Sequence, residues 1–352
     1  MEVFVLNTDL EVVDVVDTFE SLIWTDRYDK CGDFEIYTYA SLDNINLFVD
    51  DYYLWTRDSE HMMIIEEKKV ESNVEEGSHL TVTGRSLESI LDRRIIWTQT
   101  LLSGNLQDGV KKLLDENVIS PTDTNRQIPN FIFEYSEDKS ITSLTLNTQY
   151  TGDNLYDAIC LICAANNIGF KVTLNDQKQM VFKLYSGSDR SYDQVANPYV
   201  VFSPNFENII NSNYFESKKA LKNVTLVAGE GEGTARITTT VGEASGVARR
   251  ELYTDARDIS SSDGDTSISS DAYLELLKER GTENLSECIF AKAFEGQMET
   301  TQMFVYGEDF FMGDIVQIHN EYGMEAKSRV VEIVKSQSND QYTTYPTFSV
   351  IE

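Results

Sequence analysis

Four cysteines, Cys31, Cys160, Cys163 and Cys288, are too few and too unevenly spaced to staple the fold with disulfides. Basic residues are also scarce: 29 Lys and Arg stand against 59 Asp and Glu, a formal net charge of -30. Such a chain gains nothing from counterion release on a phosphate backbone and does not adhere to an anionic membrane. Long apolar runs are missing as well. Met62–Ile65 and the run within Asp157–Ala165 are among the longest, and a spanning helix needs roughly 20 residues. Met1-Glu2-Val3-Phe4 has no basic start and no apolar core, so no export signal is expected and folding is expected in the cytoplasm of the cell that makes the protein. Histidine is limited to His61, His79 and His319, without the paired spacing of a zinc site.

What is present is a chain of 352 residues, 41% apolar, long enough for two or three domains with real cores. Eighteen Tyr and seventeen Phe suit strands and subunit interfaces. The acidic excess has two readings, a soluble outer surface or a wall past which DNA slides without sticking.

The first hundred residues read as strands: Glu2–Leu6, Glu11–Val16, Phe34–Tyr39, Tyr52–Thr56, Met62–Glu66 and Leu80–Thr83 are rich in Val, Ile, Phe, Tyr and Thr. Ser86 is placed to cap a short helix over Leu87, Ile90 and Leu91. From about Leu101 the texture changes. Asn105 caps a helix carrying Leu106, Val110, Leu113 and Leu114, and Ile119–Asn130, with Pro121 and Pro129, is a loop. Asp153 caps a helix with Leu155, Ile159, Ile162 and Cys163 on its apolar face, and Gly169 ends it. Phe170–Leu174 and Met180–Tyr185 form a hairpin about Asn175-Asp176. Strands return at Asn223–Ala228 and Ala235–Val241. Ser260–Ser270 is polar and reads as a mobile surface loop open to protease. Ser270 or Asp271 caps a helix that Gly281 weakens. Glu287–Phe294, Asp309–His319, Ala326–Val334 and Thr343–Ile351 complete the strands.

A faint internal repeat links the two strand-rich ends. Asp51-Tyr52-Tyr53-Leu54-Trp55 is similar to Asp309-Phe310-Phe311-Met312-Gly313, Met63-Ile64-Ile65-Glu66 to Arg329-Val330-Val331-Glu332, and Leu80–Thr83 to Thr347–Ile351. Chance likeness between β-segments is the rival reading.

Each candidate for chemistry has a plainer structural reading. Cys160-x-x-Cys163 has redox spacing but lies inside an amphipathic helix, where two thiols fill space; buried thiols without metal or disulfide are expected. Gly229-Glu230-Gly231-Glu232-Gly233 has the glycines of a phosphate loop, but its two glutamates repel phosphate and a strand follows. Asp263-Gly264-Asp265 could touch calcium, yet Leu274 stands where an EF-hand closes on Glu. Gly242-Glu243-Ala244-Ser245-Gly246 carries its Ser one place too late for a nucleophile elbow. Among 59 carboxylates no pair stands out as a glycosidase couple. No catalytic, cofactor or metal residues are assigned, and no enzyme activity is expected.

A series of segments, taken in order, resembles a known family. These are Trp24-Thr25-Asp26-Arg27-Tyr28, Gly32-Asp33-Phe34-Glu35-Ile36, Gly84-Arg85-Ser86 through Trp97, Asp189-Arg190-Ser191, Lys222-Asn223 through Gly233, Arg249-Arg250-Glu251, Asp255 through Ile259, Arg280-Gly281 and Gly313-Asp314-Ile315-Val316. Together they resemble the tail-hub proteins, also called baseplate hub or tail-associated proteins, of long-tailed bacteriophages, over nearly the whole chain. The resemblance implies a β-rich α+β fold: a first β-barrel domain at 1–100, an α+β module at 101–188, and a second β-barrel domain at 189–352 with a helical insertion near 270–288. It implies a homotrimeric ring in the tail tip of the virion, assembled in the host cytoplasm. Its partners would be the distal tail protein, the tape measure protein and tip or receptor-binding proteins, with DNA passing through the lumen unbound. Some relatives carry a C-terminal lytic or receptor-binding extension. A chain stopping at Glu352 on a strand is expected to leave that work to another protein. The alternatives are a tail-associated cell-wall hydrolase and a receptor-binding tail protein.

Overall fold

The computed structural model describes residues 1–75, 77–263, 266–298, 303–320, 322–338 and 341–351. The fold is β-rich and of mixed α+β class. Alternation makes the strands: in Asp33–Tyr39, Phe34, Ile36 and Thr38 are buried while Glu35 and Tyr39 face out.

Both strand-rich ends of the chain enter one thirteen-stranded sheet. Along its main path the strands run Ile209–Ser217, Ala291–Met298, Gln341–Val350, Glu325–Ser338, Ser21–Arg27, Asp33–Tyr39, Gly77–Ser86, Met63–Asn73, Tyr53–Trp55, Val3–Leu6 and Val12–Val16. Two separate small barrels are expected from the family resemblance. Instead the ends are zipped together where Glu332–Ser338 pairs with Ser21–Arg27, and the described strands close no barrel. Main-chain pairing across this seam satisfies edges that would otherwise face water.

The internal repeat is present in the backbone. Each half contributes four antiparallel neighbours: Ser21–Arg27, Asp33–Tyr39, Gly77–Ser86 and Met63–Asn73 in the first, Ile209–Ser217, Ala291–Met298, Gln341–Val350 and Glu325–Ser338 in the second. Each carries a register shift in the same row, between Ile65 and Glu67 in one and between Val330 and Glu332 in the other. Asp51 (φ 64) and Gly313 (φ 88) both turn left-handed there. Their N–H groups donate to the carbonyls of Ile65 and Val330, and Tyr52 and Asp314 accept in return, all four bonds at 2.9 Å. Asp51 therefore matches Gly313 rather than Asp309, and Ile65 matches Val330 rather than Val331. The sequence alignment slips because the connection between the matched rows is longer in the second copy.

The middle of the chain packs two helices, Leu106–Leu114 and Leu155–Ala165, against a three-stranded sheet. Its central strand, Met180–Tyr185, pairs antiparallel with Gly169–Leu174 and parallel with Phe131–Glu134. The core of this module continues into the first strand unit through Met62, Ile64, Leu87 and Leu91. A further three-stranded sheet is centred on Val224–Ala228, flanked by Thr238–Val241 and Glu251–Asp255, with the helix Ser270–Ser286 laid across it.

Several local expectations shift. Asn105 caps its helix as expected, accepting from the Gln107 N–H at 3.0 Å. Asn154, not Asp153, caps the next, and Ser269, not Ser270 or Asp271, caps the last. Ser86 makes no side-chain cap; its hydroxyl accepts from the Gly32 N–H at 2.7 Å instead. Asp309–His319 is a strand only over Ile315–His319, because the Asp309 carboxylate accepts from the Val305 N–H and holds a turn. The expected Glu287–Phe294 strand begins later, at Ala291, because the helix persists through Ser286. Ser260–Ser270 is anchored rather than loose: Ser262–Asp263 pairs with Thr266–Ser267, and Gln99 Nε2 donates to the Ser262 carbonyl at 2.6 Å. Gly264 and Asp265 lie outside the described residues.

Candidate functional site

Chemistry-bearing side chains converge where the three parts of the chain meet. A cleft of about 470 Å³ opens there, lined by Asp26, Glu60, Lys171, Tyr306, Asp314 and Lys335 among others. Strand alternation turns Asp26 inward from Ser21–Arg27, and the seam pairing brings Lys335 beside it. Lys335 Nζ lies 2.8 Å from Asp26 Oδ2, and both side chains are 3% exposed. Asp26 Oδ1 also accepts from Ser59 Oγ at 2.8 Å and Trp24 Nε1 at 3.2 Å. Burial works to raise the Asp26 pKa, but the Lys335 and His61 cations overrule it and hold the carboxyl below its usual range.

A second buried pair lies nearby. His61 Nδ1 is 3.0 Å from Glu88 Oε1, and that oxygen also accepts from the Val172 N–H at 2.8 Å. Burial alone would lower the His61 pKa, yet the Glu88 carboxylate drives it up to about 9. His61 is thus held as an imidazolium, and the pair fastens the first strand unit to the middle module.

On the opposite wall, Asp314 Oδ1 accepts from the Ser188 N–H and Oδ2 from Arg190 Nε, both at 2.6 Å. Glu60 clasps Lys171 at 2.7 Å. Tyr28 anchors the junction. Its N–H donates to Val331 O at 3.0 Å, its carbonyl accepts from the Phe170 N–H at 3.2 Å, and Arg329 stacks on its ring. A Cβ on Gly313 or Gly169 would sit 2.3 or 2.5 Å from that ring, so only glycine admits it at either place.

Asp26, Glu60 and Asp314 are therefore committed to cations and to N–H and O–H donors. Neither Asp26 nor Asp314 is free to act as a general base, and the chemistry on display is cohesion. Among the described residues no three His, Cys, Asp or Glu side chains come together to hold a metal ion.

The segments singled out in the sequence meet one another. Asp33 pairs with Arg85 and Phe34 with Gly84. Arg27 bridges Asp33 and Glu332 at 2.6 Å each. Asp189-Arg190 runs beside Ile315, with the Arg190 N–H donating to its carbonyl at 2.7 Å. Val224–Ala228 lies parallel to Glu251–Asp255. Gly281 lets its helix lie flat on that sheet, since a Cβ would sit 2.6 Å from Val227 Cγ2; it serves packing at the expense of helix propensity.

Cys163 is buried and Cys160 half-buried on one helix, both as free thiols. Burial pushes Cys160 up to about 12 and Cys163 well above its ordinary value. Cys31 and Cys288 are free too, and the Tyr156 hydroxyl reaches Cys31 Sγ at 3.2 Å. Of the other histidines, His79 lies 3.3 Å from Glu20 and His319 3.3 Å from Glu325. The Gly229–Gly233 loop is tied down, its Glu230 accepting from Ser261 Oγ at 2.6 Å. Sequence reasoning missed Lys335, Glu88 and the Tyr150–Arg280–Glu283 cluster. In that cluster Tyr150 donates to Glu283 at 3.0 Å, Arg280 donates to the Gln149 carbonyl at 2.7 Å, and burial lifts Glu283 to about 7.

The model of the siphovirus ReqiPepy6 Gp37-like family matches residues 2–348. The chain belongs to that family. No curated protein matches. Among solved structures, the tail protein from Neisseria meningitidis MC58 is similar at 13% identity and TM-score 0.58, over 99% of this chain and 95% of that one. The prophage tail protein gp18 from Listeria monocytogenes EGD-e is similar at 12% identity and TM-score 0.54, over 99% and 94%. The 43 kDa tail protein of prophage MuSo2 from Shewanella oneidensis is similar at 10% identity and TM-score 0.57, over 100% and 98%. The fold of this Gp37-like protein is accordingly that of phage tail proteins, in keeping with the resemblance drawn from its sequence. No helix among the described residues is long and apolar enough to cross a membrane.

Proposed function

We propose that the chain is a non-enzymatic hub subunit of a phage tail tip. It would form a homotrimeric ring that joins the distal tail ring to the tape measure protein and tip proteins, and lets DNA pass. One observation carries the reading: two strand units of the same order and register are joined edge to edge within one chain. Three copies then present six similar units, and a trimer can meet a sixfold partner without a second gene product. In this reading the two units belong to domains at 1–100 and 189–352, with 101–188 as the module between.

In this reading some of the acids behind the -30 balance line the lumen wall, the other reading being that they only keep the outer surface soluble. A duplex carries about one negative charge per 1.7 Å, and repulsion that fades over roughly 8 Å at physiological salt lets it run along the axis. Mass measurement in solution tests the assembly: a trimer is expected, and a strict monomer overturns the reading. A zymogram tests the hydrolase alternative, because clearing of peptidoglycan by the purified chain sinks the structural role. Binding of the isolated chain to host cells would favour the receptor-binding alternative. Tight duplex binding at physiological salt, or a lumen lined by Lys and Arg, ends the acidic-wall proposal.

A further inference from the structure

The chain carries 59 acids against 29 bases. Even so, Arg94 and Arg126 sit side by side, and among the described residues neither has a carboxylate within ion-pair reach. Arg94 Nε donates to the Arg126 carbonyl at 2.8 Å, and Arg126 Nη2 donates to Ile95 O at 2.5 Å and Asn117 Oδ1 at 3.0 Å. These acceptors are neutral, so both positive charges stay uncompensated. Burial, and after it the Arg126 and Arg93 cations, hold the Arg94 guanidinium below its ordinary value. The neighbouring acids are engaged elsewhere: Asp51 with Arg93 at 2.7 Å, and Asp92 with Arg85 at 3.0 Å and Asn154 at 2.8 Å.

The two arginines line a cavity of about 330 Å³ together with Arg93, Ile95, Trp97 and Asn125. Trp97 is 58% exposed and Ile95 46% exposed. The Arg126 guanidinium lies 4.2 Å from the centre of the Trp97 ring, which joins cation and indole into one surface. The backbone beneath is fixed: the Ile96 N–H donates to the Asp153 carbonyl at 2.9 Å, and the Leu155 N–H to the Arg94 carbonyl at 3.0 Å. A surface held in this way loses little freedom on binding. We propose that this cavity docks an acidic segment of a partner polypeptide, with a carboxylate between Arg94 and Arg126 and an adjacent apolar side chain on Ile95 and Trp97. Guanidinium matches carboxylate through paired N–H bonds, and Arg and Trp are the side chains on which binding energy concentrates at protein interfaces. Charge around the patch selects the class of partner. Asp51, Asp92 and Asp123 flank it, so a nucleic acid with a phosphate at every step meets like charge on either side, whereas a single carboxylate does not. The apolar half of the surface also has no role toward phosphate. The inference goes beyond the hub reading and does not rest on it.

The test follows the emission of Trp97 in the full chain, where Trp24 is buried and Trp55 half-buried. The probes are capped pentapeptides with Glu at alternate positions and Leu or Phe between them. A saturable blue shift is expected, weakened by added salt. The same peptides with Gln for Glu, and the variant Arg94→Gln, should each bind about tenfold more weakly, the loss of one charged hydrogen bond. Hydrogen exchange of the unmodified chain supplies a readout independent of variant folding: the peptide should protect amides in 94–97 and 124–127. Absence of both shift and protection overturns the inference, and so does undiminished binding by Arg94→Gln. An equal response to inorganic phosphate or to duplex DNA overturns it too, because the patch then takes any anion. A blue shift that grows with protein concentration alone assigns the surface to a second copy and likewise overturns it. None of these outcomes bears on the hub reading, which the mass measurement tests separately.

Discussion

Asp26→Ala removes the acceptor at the centre of the seam. The Lys335 ammonium, 3% exposed and 2.8 Å from its partner, would then be buried with one carbonyl, that of Asp58 at 2.5 Å. Breaking a buried pair from one side costs about 3–5 kcal/mol. Part of that is the lost acceptor for Trp24 and Ser59, about 1–3 kcal/mol for a stranded buried donor. Replacing both charges, Asp26→Leu with Lys335→Met, removes the stranded ion, and such swaps run from neutral to about 1–4 kcal/mol stabilising. The double variant is therefore expected to be more stable than Asp26→Ala alone. Segment-resolved hydrogen exchange suits the assay, because a chain with several cores need not unfold in one step. Opening of 21–27 and 332–338 should become easier in the single variant while the helix Leu106–Leu114 holds. A loss below about 1 kcal/mol, the range of a surface pair, would refute the reasoning, and so would a double variant worse than the single one.

His61 has a folded pKa of about 9, above its unfolded value of about 6.5. Its pairing with Glu88 thus stabilises fully below about pH 6.5 and is lost as pH rises through 9; a pH series of unfolding midpoints should show this decline, and His61→Gln should flatten it. Glu283 is lifted to about 7 from about 4.3, so the folded state binds the extra proton and stability falls between those values. Glu283→Gln should be near neutral at pH 5 and stabilising above pH 7 by the same unfolding assay. Gly281→Ala should destabilise by about 1–3 kcal/mol through overpacking on Val227 despite better helix propensity, as read by thermal unfolding. Cys163 should resist a thiol reagent in the native state and react on unfolding, and stoichiometric zinc in the purified protein would contradict the packing role of the Cys160–Cys163 pair.

Much of the local structure was legible in the residues. The amphipathic spacing of Leu106, Val110, Leu113 and Leu114 named a helix, with Asn105 as its cap. Phe34 and Ile36 named a strand, and the Asn175 turn a hairpin. These signals are written in periods of two and 3.6 and need no distant partner. The repeat was legible only faintly, since connections of different length separate the matched rows in the two copies. What the sequence could not announce is the seam. Asp26 and Lys335 stand 309 residues apart, and nothing in either neighbourhood marks the lysine as buried. Only the pairing of the last long hairpin with an early strand takes both out of water, and desolvation then makes each charge depend on the other. The same holds for Glu88 with His61. Composition set the sign of the surface charge, periodicity set the elements, and the tertiary fold chose which few charges would be buried and made to hold the parts together.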